Sequence, residues 1–127
     1  MTSFTKVTLF TDVDGKARFK EEIIEMQEGT PQSQLSEIFF SDGYQLRYSP
    51  VGFQSEFHVT RKALWIFILT GQMEIGLQDG SSRIFYPGDH FYAADTLPDG
   101  VSFDGSRHGH WSRQVGEVPL RTLCLRG

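Results

Sequence analysis

At 127 residues the chain has the size of one domain that can bury a real core, so 1–127 reads as a single unit. Its formal charge of -4 is spread along the whole length, with no lysine or arginine run to track a phosphate backbone and no apolar run long enough to span a membrane, which excludes nucleic acid and membrane as expected partners. The single cysteine, Cys124, cannot form an internal disulfide, and Met1-Thr2-Ser3-Phe4-Thr5-Lys6 lacks the apolar stretch of a signal peptide, so a reducing, cytoplasmic setting is expected.

In chain order, Val7 to Thr11 reads as an edge strand, and Asp14-Gly15 turns it into Ala17–Met26. There Phe19, Ile23, Ile24 and Met26 fit a helical period about as well as a period of two, and the strand reading follows from the strands on either side. Gly29-Thr30-Pro31 opens a polar loop, Ser33 to Phe40 is ambiguous, and Asp42-Gly43 marks another turn. Tyr44, Leu46 and Tyr48 then alternate with Gln45 and Arg47, which predicts a half-buried strand. After the loop Ser49 to Phe53, the residues Glu56, His58 and Thr60 share one face.

Ala63 to Leu69 is a run of seven apolar residues closed by Gly71, the right length for a strand buried on both faces and short for a helix. Met73, Ile75 and Leu77 continue in alternation until Asp79-Gly80, a strong hairpin signal. The return strand Arg83–Tyr86 stops at Pro87-Gly88-Asp89, where proline removes a ladder donor and glycine permits a tight turn. His90 to Ala94 is a short strand ending at Asp95. The turn-rich segment from Leu97 to Gly105 is long for a plain connection and suits a lid over a pocket. His108, His110 and Ser112 alternate on one strand face, and Leu120 to Leu125 makes the last strand. Evenly spaced short strands without a strong helix predict an all-β sandwich or barrel, with a jelly roll foremost. Residues 1–43 supply N-terminal strands and a loop, and 44–125 the barrel core.

Gly52, His58, Thr60, Leu64 and Gly71, followed by Pro87-Gly88-Asp89 and His110, give the chain a pattern that resembles the cupin superfamily. That superfamily's first motif carries a glycine, His-x-His, a glutamate and a glycine; its second carries Pro-x-Gly and a later histidine. Phe57-His58, Asp95 and Gly109 to Gly116 look like a subgroup of small stand-alone bacterial cupins. The resemblance implies a cupin-type jelly-roll barrel, the double-stranded β-helix, and a family that includes dioxygenases, isomerases, lyases, dehydratases, epimerases and binding modules. Thr60 and Leu64 occupy the places of the first motif's second histidine and glutamate, so the usual ligand set is incomplete.

Three functions stay open. The first is an enzyme that moves protons on a mostly apolar small organic molecule, as an isomerase, dehydratase, lyase or cyclase would, without a cofactor. His58, Asp95 and His110 are its acid and base candidates; Asp95 is suited to donate a proton, since partial removal from water favours a protonated carboxyl, and equally to cap the turn that follows it. Arg47 would bind a substrate carboxylate, and Tyr48, Trp65, Phe67 and Trp111 would line the cavity. The second is a metal-dependent, oxygenase-like cupin in which His58, His108, His110 and Glu56 replace the lost ligands for Fe, Mn, Ni or Zn. The third is a non-catalytic small-molecule binding module. A homodimer is expected, because the N-terminal strands Val7–Thr11 and Ala17–Met26 are suited to adding onto a neighbour.

Overall fold

The computed structural model describes residues 2–127, and the chain is all-β, with eleven strands and no helix among the described residues. The larger sheet contains β1 (Ser3–Thr11), β2 (Ala17–Glu25), β5 (Gly43–Ser49), β6 (Leu64–Thr70), β9 (His90–Ala94) and β11 (Leu120–Arg126). Its order is β2-β1-β9-β6-β11-β5. The smaller sheet is β10-β7-β8, built from β7 (Gln72–Gly76), β8 (Ser82–Phe85) and β10 (Trp111–Val115). β3 (Glu28–Thr30) and β4 (Ser33–Leu35) form a hairpin of their own. Residues 54–58 extend the smaller sheet beside β10 through two isolated bridges, Gln54 with Arg113 and His58 with His110. The segment 54–58 with β10, β7 and β8 therefore stands against β5-β11-β6-β9, and this arrangement is the double-sheet jelly roll.

The core lies between the sheets. Ile66, Ile68, Phe91 and Cys124 come from the larger one and Met73, Ile75 and Phe85 from the smaller, and all are buried. Each such aliphatic or aromatic side chain contributes about 1.5–3 kcal/mol through removal from water. Gly71 is the corner at which the chain passes from β6 in one sheet to β7 in the other. Its φ of +77° suits glycine, and a Cβ there would stand 2.6 Å from the Pro119 carbonyl oxygen.

Three expectations change, and the ambiguous stretch from Ser33 to Phe40 is resolved. β1 is an interior strand, antiparallel to β2 and parallel to β9, and β2 forms the edge. The partner that covers β1 lies about 80 residues further along, beyond the reach of local pattern. Ser33 to Phe40 supplies only the three residues of β4. β6 buries one face, Ile66 and Ile68, while Trp65 and Phe67 are half-buried and Leu69 is exposed on the other. In β5 the alternation holds with its polarity reversed: Tyr44, Leu46 and Tyr48 are 70%, 72% and 58% exposed, and Arg47 on the opposite face looks into the barrel. A period of two fixes which residues share a face, and an edge strand leaves open which face meets the core.

Candidate functional site

The site begins at a glycine. Gly109 has a φ of +78°, and directly after it the chain runs against the His58 segment. The His58 amide donates to the His110 carbonyl at 2.8 Å, and the His110 amide donates to the His58 carbonyl at 2.9 Å. Residues paired in this way present side chains on one face. The two imidazoles accordingly lie together, with centroids 4.5 Å apart and planes at 58°.

Behind His110 stands Asp95, 0% exposed. One carboxylate oxygen is 2.5 Å from His110 Nδ1, and the other accepts from Thr60 Oγ1 at 2.7 Å. With a carboxylate as its partner, His110 Nδ1 carries the hydrogen, and the lone pair is on Nε2. His58 Nδ1 lies 2.9 Å from the Glu56 backbone carbonyl, which only accepts, so His58 is held in the same tautomer. Ser55 fastens this segment to β10, since the Ser112 amide donates to Ser55 Oγ at 2.9 Å. Partial burial is the main cause that lowers the His58 pKa from its ordinary 6.5; the Glu56 carbonyl opposes it, His110 adds to the lowering, Asp95 opposes, and Arg47 lowers it again. His58 is therefore a neutral imidazole at neutral pH.

Both rings border a cavity of about 220 Å³. Leu64, Ile66, Met73, Phe91, Ala93 and Cys124 form its apolar wall, and the exposed cations Arg47, Arg61, Lys62 and Arg126 stand round it. The antiparallel pairing of β6 with β11 brings Arg126 opposite Leu64, and Arg47 enters from β5 opposite Thr122. No motif in the sequence marks Arg61, Lys62 or Arg126. Their only signal is position, since Arg61-Lys62 sits at the entry to the central strand and Arg126 at the end of the last one.

Other expected site residues are elsewhere. Asp95 does not border the cavity and meets it only through His110 and Thr60, so its contact is that of a hydrogen-bond acceptor that orients a histidine, in place of a proton donor to substrate. Trp65 and Phe67 face the outer side of the larger sheet, in a depression of about 650 Å³ with Phe4, Tyr92 and Phe40. Tyr48 is exposed on the outer face of β5. Trp111 packs where a Gly76 Cβ would stand and borders a groove with Glu56 and Phe57. Segment 97–105 flanks a separate depression of about 760 Å³ that also takes in Asp14, Arg107 and His108.

His108 does not continue the face of His110, because the left-handed turn at Gly109 intervenes. Its Nδ1 accepts from the Asp104 amide at 2.9 Å. Glu56 meets His58 through its backbone carbonyl, Thr60 gives its hydroxyl to Asp95, and Leu64 has no donor atom. The replacement metal set His58, His108, His110 and Glu56 thus does not assemble. Among the described residues no three His, Cys, Asp or Glu side chains are grouped to hold a metal ion. Two imidazole Nε2 atoms are what this site offers, short of the three or four protein ligands that hold a zinc-type ion.

The fold and the paired histidines define a small double-sheet jelly roll with a cation-rimmed cavity bordered by two histidines. No family model and no curated protein matches the sequence. Among solved structures, the cupin domain of Schizosaccharomyces pombe Cnp3 is 12% identical with a TM-score of 0.48, and the match covers 100% of this chain and 88% of that one. A candidate mannose-6-phosphate isomerase from Ralstonia eutropha JMP134 is 16% identical with a TM-score of 0.37, covering 98% of this chain and 83% of that one. No helix among the described residues is long and apolar enough to cross a membrane.

Proposed function

We propose that this protein is a small enzyme that moves a proton on a small organic molecule by imidazole chemistry, as an isomerase, dehydratase or lyase does. The observation that carries the reading is the buried Asp95–His110 pair, which holds the His110 Nε2 lone pair ready at the cavity beside a neutral His58. In the reaction, His110 Nε2 takes a proton from a carbon next to a carbonyl, and the C–H electron pair moves into the carbonyl to give an enolate. The imidazolium so formed keeps its second N–H on the Asp95 carboxylate, which stabilises it. Return of the same proton to another atom of the conjugated system completes an isomerisation. Where the neighbouring carbon carries a hydroxyl, the proton leaves with it as water, which is dehydration.

The test is deuterium uptake from D2O, followed by NMR, into a panel of small enolisable carbonyl compounds, both charged and neutral. Wild type should catalyse exchange or isomerisation of at least one compound, and His110→Gln should lower the rate by about 10²–10⁴-fold. A protonated His58 would oppose the positive charge that forms on the adjacent His110, and because the His58 pKa is lowered from 6.5, this loss of activity should set in only below that value. Tight binding without exchange in every case would favour the non-catalytic binding module instead.

The same proposal includes a homodimer in a reducing compartment, where the buried Cys124 stays a thiol. The strand edges β2 and β5 are open, and Tyr44, Leu46 and Tyr48 place a continuous apolar row beside the second. Sedimentation equilibrium should give twice the chain mass at micromolar concentration. A monomer would refute this part.

A further inference from the structure

We propose that the ligand of the cavity beside His58 and His110 is a small organic anion, with its charged group held by Arg47, Arg61, Lys62 and Arg126 and its apolar part against Leu64, Ile66, Met73 and Phe91. The inference rests on the reading of this cavity as the ligand site and adds the substrate class. The chain has 16 acidic residues against 12 basic ones, yet four of those 12 border a single cavity whose wall contains no Asp or Glu. Of the eight other cations, Arg18 pairs with Asp12 at 3.0 Å and with Asp14 at 2.5 Å, Arg113 pairs with Glu74, and the remaining six are scattered singly over the chain. None of the four cavity cations makes an ion pair among the described residues.

Neutral groups arrange two of them. Arg126 donates to the Gln45 side-chain carbonyl at 2.6 Å, and the Arg47 guanidinium lies 5.4 Å from the Phe53 ring centroid. Both therefore keep N–H donors for another acceptor, and a planar guanidinium suits a carboxylate or a phosphate through paired hydrogen bonds. Four like charges round one opening repel each other, and an anion relieves that repulsion where a neutral ligand of the same shape does not. The apolar far wall asks for a hydrocarbon part on the same molecule. A volume of about 220 Å³ lies below the ~300–1,000 Å³ of sites for drug-sized ligands, which keeps the molecule small.

Benzoate, phenyl phosphate and the neutral benzamide, titrated separately and followed through the His58 and His110 ring resonances, test this. At least one of the two anions should bind about tenfold or more tightly than benzamide. The tighter anion distinguishes a carboxylate from a phosphate ligand. The double variant Arg47→Gln/Arg61→Gln should lose most of that preference, and Lys62→Gln part of it, with circular dichroism unchanged because these side chains are exposed. Equal or tighter binding of benzamide, or an anion preference unaffected in folded variants, would overturn the inference. The two readings fail separately. His110-dependent exchange on neutral carbonyl compounds with no anion preference removes the charge inference alone, and anion preference without exchange on any compound removes the catalytic reading alone.

Discussion

Replacing Gly109 with alanine is expected to destabilise the protein by about 2–4 kcal/mol and to separate the His58 and His110 rings. Two costs combine. A φ of +78° disfavours any side chain by about 1–2 kcal/mol. In addition, the new Cβ would overlap the His58 carbonyl, which is backbone and cannot rotate away as a flexible side chain would. Relief of that overlap requires the two segments to part, with loss of two mutual backbone hydrogen bonds worth about 0.5–1.5 kcal/mol each. Gly116→Ala is the control, since Gly116 has a φ of +84° with nothing within 4 Å of its Cβ position and incurs the conformational cost alone. Urea unfolding of both variants measures the difference. Equal destabilisation would mean that the close approach at His58 contributes nothing.

Asp95 carries the second large effect. Asp95→Ala leaves Thr60 Oγ1 and His110 Nδ1 without their acceptor in the interior, at a cost of about 2–4 kcal/mol. Asp95→Asn is more informative because its shape is unchanged. An asparagine whose carbonyl accepts from Thr60 turns its NH2 group toward His110, where Nδ1 must then become the acceptor and the hydrogen moves to Nε2. The cavity-facing lone pair is lost while the fold stays. Turnover should fall by about 10²–10⁴-fold with little change in KM, as befits a positioning residue. Near wild-type turnover in this variant would mean that Asp95 does not position His110 for catalysis.

Much of the architecture is written in local chemistry. Asp79-Gly80 and Pro87-Gly88-Asp89 turn the chain where the sequence says they do, and the alternation of Met73, Ile75 and Leu77 marks the inner face of β7 and its continuation. Long-range pairing is not written there, so the interior place of β1 is visible only once β9 lies beside it. The reversed polarity of β5 has the same origin. Tyr44, Leu46 and Tyr48 look like a buried face until the register with β11 puts Arg47 opposite the buried Thr122.

At the site, the cupin-like motif positions single out His58 and His110, and the two rings do meet. Strict alternation also ties His108 to His110, and a single left-handed glycine between them breaks that tie. Asp95 is a natural turn residue in the sequence. Its burial, and hence its bond to His110, depends on β9 delivering it beneath the His58–His110 bridge. The cations are the least legible part. Arg61, Lys62 and Arg126 have the appearance of ordinary surface residues until the barrel brings them round one opening with Arg47.

Asp95 holds the hydrogen of His110 on Nδ1 and leaves Nε2 bare toward the cavity. Two-bond ¹H–¹⁵N correlation of the histidine rings near neutral pH measures this directly. Both His58 and His110 are expected to be Nδ1–H tautomers with unprotonated Nε2, and Asp95→Asn should move the hydrogen of His110 alone. A wild-type His110 that carries its hydrogen on Nε2 would contradict this assignment.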